Sequence, residues 1–215
     1  MFRVILASQW RESRIAVLVL AATALAIPSW SLSDVDQGPW EAWHLLMASQ
    51  GWSMVYPVCA LLAALALALG AWRPDHRARH VYALTLPLSR SRYLLMRYAA
   101  GLLLLGCLGV MLAVGASVAV AGRTLPPHLE AHPLVLALRF VLAGVSAYTL
   151  LFAVSGVTAR TARLLGAGLL LLLAASALTD LVGIGWNPLA QFFDVLLSPY
   201  GPLAPFRWTW MLIDV

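Results

Sequence analysis

Runs of about twenty apolar residues, without the polar alternation of a half-buried strand, recur along this chain of 215 residues and leave it few ways to fold. A hydrocarbon layer offers backbone N–H and C=O groups no partner. A spanning segment must therefore satisfy them within a helix or within a closed barrel. Barrel strands alternate apolar and polar residues, and these runs do not. The expected fold is all-α: a polytopic bundle of transmembrane helices forming one domain over residues 1–215. Composition agrees, since 62% hydrophobic residues, 11% charged residues and a mean hydropathy of +0.85 leave too little polar surface for a soluble globule.

The stretch from Arg73 to Arg97 sets the orientation. It holds Arg73, Arg77, Arg79, Arg90, Arg92 and Arg97 between two long apolar runs, and arginines close to span ends stay on the cytoplasmic side. The N-terminus, with Arg3, Arg11 and Arg14, is then also inside, as is the turn at Arg160 and Arg163. Residues 31–50 contain Asp34, Asp36 and Glu41 and no Lys or Arg, and Trp30, Trp40, Trp43 and Trp52 form an aromatic belt there, as expected of an outer interface. Arg123, Arg139 and Arg207 fall on the outer side, where Arg123 and Arg139 can snorkel to headgroups. A multi-pass protein of the cell inner (plasma) membrane is expected. The formal charge of +5, carried by Arg alone, then reads as a rim facing anionic lipid and not as a nucleic-acid surface.

Residues 1–14 are expected to form an amphipathic helix at the inner interface, with Phe2, Val4, Ile5, Leu6 and Trp10 set among the three arginines. Five spans are expected at about 15–30, 52–72, 98–121, 139–158 and 164–184. The first could instead be a signal peptide, because Arg11 and Arg14 precede an apolar core ending in small residues; the long apolar-faced segment ahead of it favours a retained span. Ala60, Ala64 and Ala68, and likewise Gly109, Ala113, Ser117 and Ala121, stand four apart, so the second and third spans should pack closely through these stripes. Residues 185–215 are broken by Pro188, Pro199, Pro202 and Pro205. Within them Leu189, Phe192, Phe193, Leu196 and Leu197 oppose Gln191, Asp194 and Ser198, which predicts a short amphipathic helix on the outer face or a re-entrant element.

Candidate chemistry is sparse. Cys59 and Cys107 lie inside expected spans and read as buried apolar thiols. His76 and His80 share a helix face but lack a third ligand and sit among arginines. His128, Glu130 and His132 match no zinc-protease pattern, so no metal site is expected. No nucleophile with a visible base occurs, so no catalytic residue is assigned and the chain is not read as an enzyme by itself. Asp180, an acid near the outer end of the fifth span, is a possible polar intramembrane site serving a proton relay or a substrate contact.

The run from Arg77 to Arg90, ending in Leu86-Pro87-Leu88-Ser89-Arg90 and followed by an Arg-capped apolar span, resembles the membrane subunits of type-2 ABC transporter permeases. In that family an interfacial helix precedes the first span, and a cytoplasmic coupling segment between the second and third spans carries a Leu-Pro-Val/Leu-Ser-Arg-like signature. Short outer helices between the fifth and sixth spans resemble residues 188–205. Many relatives have a Glu and a Gly just before the signature, where this chain has Arg, Ala and His; a sixth span is expected in a complete member.

The resemblance implies a permease subunit that couples a separate ATPase subunit to substrate translocation. Its partner-binding surface would comprise Asp75, His76, Arg77, Arg79, His80, Tyr82, Leu86, Pro87, Leu88, Ser89 and Arg90. This chain would bind no cofactor, ATP belonging to the ATPase subunit. A second copy or paralogue of the permease and membrane lipids would be its other partners, with no nucleic acid. The alternative is a structural or accessory transmembrane subunit of another complex, such as a shortened, non-transporting relative. An absence of charged residues inside the first four spans favours it.

Overall fold

Phe2 to Ser31 form one helix, so the expected boundary between an interfacial helix over 1–14 and a span over 15–30 is not a break. The computed structural model describes residues 1–33, 41–77, 89–121, 125, 129–156, 159–182, 187–207 and 212–214. In chain order the elements are α1 (Phe2–Ser31), α2 (Glu41–Gly51), α3 (Val55–Arg77), α4 (Arg90–Ala121), β1 (Glu130–Ala131), α5 (Pro133–Ser155), α6 (Ala159–Val182), α7 (Pro188–Leu196), a 3-10 turn at Ala204–Phe206, and β2 (Ile213–Asp214). Among the described residues α1, α3, α4 and α5 are long and apolar enough to cross a membrane. The 24-residue α6 follows them. At 1.5 Å per residue, the 32 residues of α4 extend about 48 Å, against a hydrocarbon core of about 30 Å. Such a helix must project beyond the core.

Helix directions follow from which residues meet. Ile5 clusters with Tyr93 and Ala100 near the starts of α1 and α4, while a Cβ at Gly115, late in α4, would lie 2.5 Å from the Leu25 carbonyl oxygen, late in α1. These two helices therefore run parallel. Trp72 at the end of α3 packs on Phe152 at the end of α5, so these two are also parallel. In α5, Gly144 meets Leu105 and Val141 meets Gly109, which sets α5 antiparallel to α4. The four helices form a bundle in the cyclic order α1, α4, α5, α3, with the widest contacts between α1 and α4 and between α3 and α5.

The small-residue stripes are only partly where the spacing placed them. Ala60, Ala64 and Ala68 are fully buried on α3, whose widest contact is with α5. On α4, Gly109 is buried but Ala113 is half-buried and Ser117 and Ala121 are exposed. Close approach instead uses Gly115 towards α1, with Gly101 towards Tyr148 and Gly109 towards Val141 of α5. The reason is that α4 must serve two neighbours, so its buried face is wider than one stripe and is centred on Leu104, Leu105, Leu108 and Leu112. Cys107 lies on the exposed side and Cys59 is half-buried; both are free thiols.

The bundle exterior is apolar. Ile15, Leu18 and Val19 on α1, Val110, Val114 and Val118 on α4, and Leu134, Leu138 and Leu142 on α5 are exposed, as expected where lipid replaces water outside a membrane-embedded bundle.

The opposite end from Tyr93 is closed by short elements. Asn187 caps α7, its Oδ1 accepting from Leu189 N at 2.9 Å and Ala190 N at 3.1 Å, with Pro188 at the first helical position. Phe193 is buried while Gln191 and Asp194 are exposed, the amphipathic pattern expected of residues 189–198. Beyond the all-α expectation, β1 and β2 pair antiparallel over two residues each. Arg139 does not simply reach outward: its Nε donates to the Pro205 carbonyl at 2.7 Å, tying α5 to the 3-10 turn.

Candidate functional site

The ends of α3 and α4 that flank residues 78–88 are joined by a buried polar cluster. Asp75, on the last turns of α3, is 0% exposed. Its position continues the buried face that begins at Ala60, Ala64, Ala68 and Ala71, so the helix itself carries the carboxylate inward. Arg97, two turns into α4 and 4% exposed, places Nη1 3.0 Å from Asp75 Oδ2. The Tyr93 hydroxyl, one turn earlier on α4, donates to Asp75 Oδ1 at 2.9 Å and approaches Oδ2 at 3.2 Å. The carboxylate thus receives a guanidinium and a phenol from one face of one helix, at positions four apart.

Arg97 has further partners. Its Nη1 donates to the Ala71 carbonyl, and its Cζ lies 4.8 Å from the Tyr93 ring centroid and 5.9 Å from that of Trp72. Aromatic faces attract a cation more strongly when water is excluded. A buried ion pair is tolerated only when its remaining lone pairs and protons are also met, and here both partners are served.

The same layer closes the end of α5. Phe152 O, near the end of α5, already accepts from Gly156 N at 3.2 Å, while the final carbonyls of a helix, such as that of Ser155, have no intrahelical donor. Trp72 Nε1 donates to Phe152 O at 2.9 Å, and His76 Nε2 donates to Ser155 O at 3.0 Å; a carbonyl only accepts, so this nitrogen carries the proton. Around the rim, Glu12 of α1 accepts from Arg77 at 2.9 Å and lies 3.9 Å from Arg73. Side chains of α1, α3, α4 and α5 are therefore linked at this one end, which also carries the exposed Arg3, Arg11, Arg14, Arg73, Arg77, Arg90 and Arg92.

Among known proteins, the chain matches no family model, no curated protein and no solved structure.

The sequence-stated surface is divided by the structure. Arg77, Ser89 and Arg90 are exposed and His76 is half-buried against Ser155. Asp75 is corrected: it is an interior residue engaged by Tyr93 and Arg97, not part of a contact surface, because the α3 face that buries the alanines also buries position 75. Arg79, His80, Tyr82, Leu86, Pro87 and Leu88 lie outside the described residues, as do Arg123 and His128. Asp180 lies on the last turn of α6, away from this cluster in the sequence of elements. Among the described residues no group of three His, Cys, Asp or Glu side chains could hold a metal.

Sequence reasoning passed over Tyr93, Trp72 and Glu12, and it used Arg97 only as a marker of sidedness. A signal was present: Tyr93, Arg97 and Gly101 stand four apart and lead into the buried face of α4.

Proposed function

We propose that this chain is the membrane-spanning subunit of an ABC transporter, with residues 78–88 and the exposed Arg77, Ser89 and Arg90 forming the contact for a separate ATPase subunit. In this reading the arginine-rich end is cytoplasmic, α6 is a fifth span, and the chain sits in the inner membrane beside a second copy or a paralogue. ATP is bound and hydrolysed by the partner.

The observation that supports this is the Asp75–Tyr93–Arg97 cluster. A soluble partner seated on residues 78–88 can move the membrane helices only if both ends of that segment are held to them. Asp75 anchors the α3 end and Tyr93 and Arg97 anchor the α4 end, to each other and within a buried layer. Trp72 and His76 pass the same displacement to α5, and Glu12 passes it to α1. Packed, hydrogen-bonded contacts of this kind move as a unit because close-packed interiors deform little.

Extraction in mild detergent followed by affinity purification tests the reading. A nucleotide-hydrolysing subunit should accompany the chain, and Arg90→Glu should lower its yield. Isolation on another membrane assembly, with no such subunit, would replace this reading by that of an accessory transmembrane subunit.

A further inference from the structure

A cleft of about 300 Å³ runs between α3, α5 and α6, and none of its lining residues belongs to the Asp75–Arg97 cluster. Leu61 and Leu65, four apart on α3, and Leu151 of α5 form one wall. Leu164, Gly168 and Leu172, again four apart, present one face of α6 to it, and Phe192 of α7 borders it as well. Leu61 is buried and Leu65, Leu151 and Leu172 are half-buried, whereas Leu164, Gly168 and Phe192 are exposed. The cleft therefore deepens from an open rim on α6 towards α3. A Cβ at Gly168 would meet nothing within 4 Å, so among the described residues no atom packs on the middle of the α6 face.

The lining selects its guest by chemistry and by width. Every lining side chain is a hydrocarbon, so a water, which needs two to four polar partners, finds none here. A polar or charged solute is refused on the same ground. Leu164 and Leu172 stand eight residues apart, which at 1.5 Å per residue is about 12 Å of helix. Spread over that length, the volume gives a cross-section of about 25 Å². A helix of a second copy, about 10–12 Å across with its side chains, is too wide to enter. A single unbranched hydrocarbon chain is narrow enough. The cleft also lies along the helix axes, as acyl chains do, and its length fits within one leaflet, half of a core about 30 Å thick. Its rim adjoins the exposed Leu164 and Leu171, so it opens on the apolar exterior of the bundle, where acyl chains are the solvent.

We propose that this cleft binds one acyl chain of a membrane lipid, lodged between α6 and the α3–α5 pair. The chain supplies the dispersion contacts that the missing side chain of Gly168 withholds from Leu61 and Leu65. The lipid headgroup, for which the cleft offers no partner, stays outside at the bilayer surface. Such a lipid differs from those around the bundle because it reaches a buried residue of α3. It also seats α6 on the bundle, so that this helix is held partly through lipid. The site stands whether or not residues 78–88 meet an ATPase.

Photolabelling of the full chain in nanodiscs tests this, with a phosphatidylcholine that carries a diazirine midway along one acyl chain and residue-level mass spectrometry as the readout. Leu61 and Leu65 should be labelled several-fold more than Leu67 of the same helix, which is fully buried. Gly168→Leu places a side chain in the cleft without meeting protein and suits a helix better than glycine does. It should cut the labelling of Leu61 and Leu65 several-fold and leave that of the exposed Val110 and Val114 unchanged. Labelling of Leu61 and Leu65 no greater than that of Leu67 would overturn the proposal, and this comparison needs only the unaltered chain; a dimer in the same nanodiscs would then name a second copy as the cover. Labelling that persists undiminished in Gly168→Leu would overturn it equally, since the chain would then reach α3 by another route.

Discussion

Asp75 on α3 and Arg97 on α4 lie 3.0 Å apart with side chains 1% and 5% exposed, and they bracket the segment on which a cytoplasmic partner would act. An ion pair this deeply buried is costly to break from one side, because the survivor keeps its charge without a counter-charge. Arg97→Met should destabilise the bundle by about 3–5 kcal/mol, and Asp75→Leu by a similar amount. The double variant should lose much less than the sum, since neither charge remains buried alone. Thermal unfolding of the purified chain in detergent, over the full cycle, checks this; additive losses would show that the two groups are not coupled.

The two glycines Gly115 and Gly106 make opposite predictions from the same helix. A Cβ at Gly115 would sit 2.5 Å from the Leu25 carbonyl oxygen and 2.8 Å from its Cα, both backbone atoms that cannot rotate away, whereas a Cβ at Gly106 meets nothing within 4 Å. Gly115→Ala should therefore separate α1 from α4 at a cost of about 1–3 kcal/mol. Gly106→Ala should leave the melting temperature unchanged. Equal behaviour of the two variants would contradict the close approach of α1 and α4.

Hydropathy reveals the long helices because lipid demands unbroken apolar runs, and the short α7 was legible from the opposition of Leu189, Phe193 and Leu196 to Gln191 and Asp194. It does not reveal the continuity of α1. Ile5, Gln9, Ser13 and Val17 form one buried line through the supposed boundary, but Gln9 and Ser13 are polar and lower the local hydropathy. The candidate site was hidden for a related reason. Asp75 stands beside Arg73, Pro74, His76 and Arg77, so composition assigns it to water, while helical phase assigns it to the face of Ala68 and Ala71. Phase decides, because a side chain's direction is set by its position on the helix and not by its neighbours in sequence.

The Glu12 contacts are of a different order from the buried pair. Arg77 and Arg73 keep 64% and 60% of their side-chain surface exposed, so solvent and salt screen them. Glu12→Gln should cost about 1 kcal/mol or less, and the difference from the unaltered chain should fade as salt is raised. A large, salt-independent loss in the same unfolding assay would mean that Glu12 holds α1 through something other than these arginines.

Orientation is the remaining element of the proposal, and two exposed residues at opposite ends can decide it. Arg90 starts α4 beside the Asp75 cluster. Tyr200, 99% exposed, lies in the segment that packs on Arg139 near the start of α5, and α5 is antiparallel to α4, so its start is at the far end. Cys107 sits mid-helix in α4, where a water-soluble maleimide does not reach, but Cys59 lies one turn into α3 and is half-buried, so the labelling uses a Cys59→Ala background. In intact cells an impermeant maleimide should therefore label Tyr200→Cys and not Arg90→Cys, with Arg90→Cys becoming reactive once the membrane is opened. The reverse pattern would put the arginine-rich end outside, away from cellular ATP, and the coupling role of residues 78–88 would fall with it.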